Sequence, residues 1–164
     1  MNLTMPRENL EEIFDQIIRE ITKQAVGIDL HRSKSALDGE LFTVYIAFQK
    51  GFRTSLSLCA ERSVFVQFAR YMMQQDDIGY QDMEAVAKEY FNVLCGHIAA
   101  RLFQKVKIPA RFSVPAFYAG RYAPKDYSEH IVLTYSSNEN KNVQLVHYVP
   151  LGEQAVPAST ERGN

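Results

Sequence analysis

The stretch that most constrains this chain is residues 82–106, "DMEAVAKEYFNVLCGHIAARLFQKV", which can bury its apolar residues only as a long helix with two unlike sides. At about 100° per residue, Ala87, Phe91, Leu94, Ile98 and Leu102 gather on one side, and so wide an apolar stripe must face a core. Ala85, Glu89, Asn92, Gly96 and Phe103 fall within about 60° of Glu89 on the opposite side. Glycine inside a helix costs about 1 kcal/mol relative to alanine. Gly96 therefore points either to tight packing within the chain or to close approach by another surface. Glu89 and Asn92, at i and i+3, have Cβ atoms roughly 5–6 Å apart, near enough to address one small target. A solvated helix face is the plain alternative for such a pair.

The remainder must supply what that helix packs on. Residues 6–26 open with a proline and acids and repeat Leu10, Ile13, Ile17, Ile21 and Ala25 at helical spacing, which predicts an amphipathic helix. Residues 27–39 mix glycine, serine and charge and read as a connection or short irregular strand. "ELFTVYIAFQ" and "RTSLSLCAE" are β-rich runs around a glycine, a hairpin by pattern, with Thr54, Leu56 and Leu58 alternating against Ser55, Ser57 and Cys59. "RSVFVQFARYMMQQ" is expected to turn Val64, Phe65, Phe68, Tyr71 and Met72 inward as a helix, with the Met72–Met73 pair filling core. An Asp or Gln in "DDIGYQD" is expected to cap the helix over 82–106. "IPARFSVPAFYAG" is extended but broken by prolines, which confine it to a sheet edge, a bulge or a loop. "EHIVLTYSS" and "VQLVHYVPL" around "NENKN" form a further hairpin with Asn at the turn.

The fold class expected is α+β, an antiparallel sheet built from hairpins and packed against long helices. The expected organisation is a single domain over 1–150 followed by a disordered tail over 151–164, without internal repeats.

Composition removes several function classes. Eighteen basic and nineteen acidic residues give a net charge of −1, so there is no broad positive field to hold nucleic acid or an anionic membrane. No apolar run approaches the roughly 20 residues a membrane helix needs, and no secretory leader is recognisable. Cys59 and Cys95 lie in apolar stretches without CxxC or Cys/His spacing and read as buried free thiols, so a reducing, cytoplasmic setting is expected. His31, His97, His130 and His147 are scattered, with no helical ligand pair at i+3 or i+4, and no metal site is expected. Neither a GxSxG elbow nor a GxGxxG loop is present. Arg111, Arg121 and Lys125 read as solvated loop charge that an acidic partner could meet.

Asn92 is followed after 22 intervening residues by Pro115. With "VAKEYFNVLCGHIAARLF" and the upstream hairpin and helix, this resembles the signature of the CheX and CheC chemotaxis phosphatases, over roughly residues 40–150. In those proteins a Glu-x-x-Asn pair precedes a distant proline. The resemblance implies hydrolysis of the aspartyl phosphate on a CheY-like receiver domain, with Glu89 and Asn92 as the catalytic pair and Ala85, Gly96 and Pro115 at the partner surface. It implies that Asn92 orients the attacking water and that Glu89 pairs with a receiver lysine. Mg²⁺ would belong to the receiver, and this chain would need no cofactor of its own. A single copy of the pair is CheX-like, and a homodimer through sheet pairing is implied. The family pattern carries Asp or Ser four residues before the glutamate, where this chain has Ala85. Two other readings compete: a non-catalytic receiver-binding or flagellar-switch module of the same fold, and an unrelated ligand-binding α+β domain.

Overall fold

The computed structural model describes residues 5–50 and 53–152. Along the chain run α1 (Arg7–Val26), β1 (Leu30–Arg32), β2 (Leu41–Lys50), β3 (Ser55–Glu61), α2 (Arg62–Met73), α3 (Tyr80–Val106), β4 (Arg111–Phe112), β5 (Ala116–Ala119), β6 (Tyr127–Ser137) and β7 (Asn142–Pro150). The strands form one antiparallel sheet in the order β1-β6-β7-β3-β2-β4, with β5 also paired to β2. The three helices cover one face. The expected α+β architecture is present, and both predicted strand pairs form, β2 with β3 and β6 with β7, while the glycine expected at the first turn lies outside the described residues. The expected tail begins with a turn in which the Leu151 N–H donates to the Asp126 carbonyl at 2.9 Å, and 153–164 lie outside the described residues.

The core lies between helices and sheet, where Phe42, Val44 and Ile46 of β2 and Leu56 and Leu58 of β3 meet Phe14, Ile17, Phe65, Phe91 and Leu94. In α1 the predicted Leu10, Ile13, Ile17 and Ile21 are buried, and the last of the predicted stripe, Ala25, is half-buried. That helix stops at Gly27, whose φ of 69° is left-handed and therefore suits a residue without Cβ. A Cβ there would come within 2.6 Å of the Tyr71 ring.

That ring is one of several departures from the pattern read in sequence. Tyr71 was expected inward, yet it is 48% exposed and lies over Gly27 at the end of α1, because Phe68 and Ala69 take the inward positions of α2. Met72 does pack against the core, while Met73 is 38% exposed instead of filling it. Helix α3 begins at Tyr80 with Gly79 at its N-cap, and the cap comes from inside the first turn, where the Asp82 carboxylate accepts the Gly79 N–H at 3.3 Å. An acid at that position satisfies an otherwise orphaned donor as a capping side chain would. Strand β3 is buried on both faces. It is a central strand, and its Ser55, Ser57 and Cys59 side lies under a layer of tyrosines in which Tyr122 stacks on Tyr118 at 3.9 Å and meets Tyr45 at 5.1 Å.

Antiparallel pairing also joins two histidines that sequence spacing kept apart. A register shift in β6 brings the Nδ1 atom of His130 to 3.1 Å from that of His147, so one ring nitrogen donates and the other accepts. His147 is 3% exposed and packs on Phe14. Burial first, and His130 second, lowers its pKa to about 3. Burial, and then Arg7, lowers that of His130. The unfolded chain therefore binds protons that the folded chain excludes, and the stabilisation is complete above the ordinary histidine pKa and lost as pH falls toward 3. Urea unfolding at about pH 7 and about pH 5 is expected to show a loss of about 2 kcal/mol attributable to His147. His147→Phe should flatten that dependence, and an unchanged slope in the variant would contradict the assignment.

Candidate active site

The rotation of α3 about its axis decides what the protein presents. Ala87, Phe91, Leu94, Ile98 and Leu102 are all buried, as the angular count requires, together with Met83, Val86, Tyr90 and Cys95. Tyr90 is pinned further by a buried hydrogen bond of 2.6 Å between its hydroxyl and that of Thr22 in α1, and by its ring contact with Phe68 in α2 at 4.8 Å. Burial holds the Tyr90 phenol protonated by raising its pKa. Turning α3 enough to hide Glu89 would strand both hydroxyls without a partner, and each unsatisfied buried group costs about 1–3 kcal/mol. Ala85, Glu89 and Asn92 are accordingly exposed on the opposite side, with Gly96 half-buried. Among the described residues, no side-chain hydrogen bond or ion pair engages Glu89 or Asn92, while neighbouring Lys88 pairs with Glu84 at 2.8 Å.

A second wall comes from the sheet edge. Strand β2 is long enough to pair at one end with β5, Phe42 to Tyr45 opposite Ala119 to Ala116, and at the other with β4. Between those pairings the edge is interrupted over Ser113, Val114 and Pro115, consistent with a proline that cannot donate to a ladder. Ser113 anchors the interruption, its N–H donating to the Ala47 carbonyl at 2.7 Å while its Oγ accepts the Ala47 N–H at 3.1 Å. The interruption faces α3 across an open cleft of about 400 Å³, with Ala85, Lys88, Glu89 and Asn92 on one side and Phe112 to Pro115 on the other.

Four of the five site residues named from sequence, Ala85, Glu89, Asn92 and Pro115, therefore line one cleft. Gly96 stands one turn beyond Asn92 and does not line it; a Cβ added there meets nothing within 4 Å. Among the described residues, packing within the chain is thus not the reason for this glycine. Lys88, Ser113 and Val114 were not singled out in sequence. Lys88 precedes Asn92 by one turn, and Ser113 and Val114 adjoin Pro115, but only the folded edge turns them toward the helix. Among the described residues that line the cleft Glu89 is the only carboxylate, which does not fit the several oxygen ligands a Mg²⁺ or Ca²⁺ cage requires. Among the described residues no group of three or more His, Cys, Asp or Glu side chains is arranged to hold a metal, and no helix is long and apolar enough to cross a membrane. A larger depression of about 680 Å³ lies apart from this site at the start of α2, lined by opposed charges such as Arg62 and Glu40, 3.8 Å apart.

The sequence model of the chemotaxis phosphatase CheX family matches residues 42–136. The chain belongs to the CheX family. The match spans β2 to β6 and so contains the whole of α3 and both walls of the cleft. No match is found among curated proteins. Of solved structures, the chemotaxis protein CheX of Desulfovibrio desulfuricans superposes with a TM-score of 0.68 at 14% identity, covering 85% of this chain and 97% of that one. The CheX-CheY-BeF3-Mg complex of Borrelia burgdorferi gives 0.65 at 14% identity, covering 84% and 95%. FliY of Thermotoga maritima gives 0.64 at 13% identity, covering 88% and 89%. At such identities the likeness is one of fold.

Within this CheX-family helix, the open space at Gly96 makes a direct stability test. Gly96→Ala is expected to raise stability by about 0.5–1 kcal/mol through helix propensity alone, measured as a higher thermal midpoint. A lower midpoint would mean that the site is packed after all.

Proposed function

We propose that this protein hydrolyses the aspartyl phosphate of a CheY-like receiver domain, with Asn92 and Glu89 acting from the exposed face of α3. The observation that carries the reading is that both side chains are exposed and unengaged on a helix whose rotation is fixed by its buried face, opposite Pro115. An acyl phosphate is already activated toward water, and phosphoryl transfer depends chiefly on positioning and on stabilising charge. The protein need supply neither nucleophile nor strong base. The Asn92 carboxamide oxygen accepts a hydrogen bond from a water and holds it in line with phosphorus, while its NH₂ remains free to donate. Water oxygen bonds to phosphorus, the bond to the receiver's carboxylate oxygen breaks, and the products are inorganic phosphate and the free aspartate. Glu89, one turn away, forms an ion pair with a receiver lysine and sets the depth of entry. The Mg²⁺ that accompanies the phosphoryl group belongs to the receiver in this reading.

Asn92→Ala is expected to lower the rate of receiver dephosphorylation about a hundredfold while changing unfolding stability by no more than about 0.5 kcal/mol. Phosphate release from a phosphorylated receiver, followed beside a urea melt, measures both. A variant as fast as the wild type would remove the role assigned to Asn92.

A second reading, a receiver-binding or flagellar-switch module without hydrolysis, is favoured by one observation. Ala85 lines the cleft but offers no hydrogen-bonding group, and the fold is shared with FliY. If the protein is a phosphatase limited by that loss, Ala85→Ser should raise kcat several-fold by restoring a hydroxyl one turn before Glu89. If it is a binding module, neither the wild type nor Ala85→Ser accelerates phosphate loss, and the two are compared in the same assay.

A further inference from the structure

We propose that Ser113 is a positioning residue of the cleft, its hydroxyl fixing where Pro115 stands against Asn92. This rests on the reading above for the reaction served, and it assigns work to a residue of the sheet edge that touches neither the substrate nor the reacting atoms. Tyr45 stands opposite Ala116 and Phe48 opposite Phe112, so Ile46 and Ala47 of β2 face three residues, Ser113, Val114 and Pro115. Such an extra residue on one side is a β-bulge, which bends its strand and re-aims its side chains.

Both ends of the bulge are held by aromatic packing. Phe112 meets Phe48 at 5.8 Å before it, and Phe117 stacks on Phe42 at 5.3 Å after it. Between these fixed points the path of the chain is set at Ala47. The Ala47 carbonyl accepts the Ser113 N–H at 2.7 Å, as in a regular antiparallel pair, but the Ala47 N–H donates to Ser113 Oγ at 3.1 Å. In a regular pair the partner's own carbonyl takes that place. The side chain thus substitutes for the backbone, which leaves the Ser113 carbonyl out of the ladder.

The effect reaches Pro115 because the two residues that follow have little freedom. The Pro115 ring locks its own φ, and a residue before proline, here Val114, is confined to extended conformations. The direction in which the chain leaves Ser113 therefore sets the place of Pro115 in the cleft wall. Without the hydroxyl, the Ala47 N–H would turn to the Ser113 carbonyl, since a backbone donor at a half-buried edge needs a partner. The peptide after Ser113 would rotate and carry Val114 and Pro115 off their present line. A shift of about 1 Å in a group that positions a reaction can cost about a hundredfold in rate.

The test compares Ser113→Val with Ser113→Thr, side chains of nearly one shape of which only threonine keeps a hydroxyl. Each is assayed beside the wild type on a phosphorylated CheY-like receiver of the source organism, well below its thermal midpoint, so that folded protein alone is counted. Ser113→Val is expected to lower kcat about tenfold with little change in KM, and Ser113→Thr to restore most of that loss. Equal kcat in the two variants, whether high or low, would overturn the role of the hydroxyl and leave the catalytic reading intact. A lower midpoint for Ser113→Val with wild-type kcat would reduce Ser113 to a structural residue and overturn it as well. If the wild type releases no phosphate, the catalytic reading falls, and binding of the receiver loaded with Mg²⁺ and beryllofluoride decides the role of the wall. Binding weakened by Ser113→Val and restored by Ser113→Thr would keep that role, and equal binding by both would remove it.

Discussion

Tyr90 hydrogen-bonds Thr22 inside the helical layer while Phe91, Leu94 and Ile98 fill the space above the sheet, and these contacts together fix the angle at which α3 sits. Adjacent residues on a helix differ by about 100°, so a buried Tyr90–Phe91 pair leaves Glu89 and Asn92 on the far side. The cost of exposing Phe91 or of breaking the Thr22 bond is what gives the outward pair its fixed orientation. Rigidity of this kind suits the proposed hydrolysis, in which Glu89 and Asn92 would act by placing groups.

The second requirement is a boundary for the space above Asn92, and the sheet supplies it through a defect. Had the chain run straight from Arg111 to Ala119, a continuous edge strand would have lain flat along β2. Ser113 instead ties both its backbone and its hydroxyl to Ala47, and the segment ending in Pro115 turns toward α3. The same interruption leaves Val114 out in solvent. One short irregularity therefore shapes the cleft and contributes an exposed apolar group beside it.

Much of this arrangement was legible in sequence because helix periodicity is rigid. Once Ala87, Phe91, Leu94, Ile98 and Leu102 were taken as inward, the exposed positions followed from geometry. Strand residues were harder. Ser55, Ser57 and Cys59 alternate with leucines, and of the three only Cys59 was read as buried, yet β3 is central and tyrosines close over the whole of that face. His130 and His147 are 17 positions apart, and only the register of β6 against β7 makes them neighbours. Tyr71 obeys the inward spacing of α2 less well than it covers the glycine cap of α1, a contact between elements that no single helix can encode visibly.

By itself, then, the sequence determined the helix faces, the hairpins, the absence of a broad charged field and the residues Glu89, Asn92 and Pro115 as members of one pattern. The first three are properties of local periodicity and composition, which need no knowledge of distant contacts, whereas the pattern of Glu89, Asn92 and Pro115 was legible only through the resemblance to the CheX and CheC proteins. Only the tertiary structure decided that Pro115 stands across a cleft from Asn92, that Gly96 is open instead of packed, and that Val114 and Lys88 share the site. Each depends on how a sheet edge and a helix lie against one another, and that relation is set by packing between segments far apart in the chain.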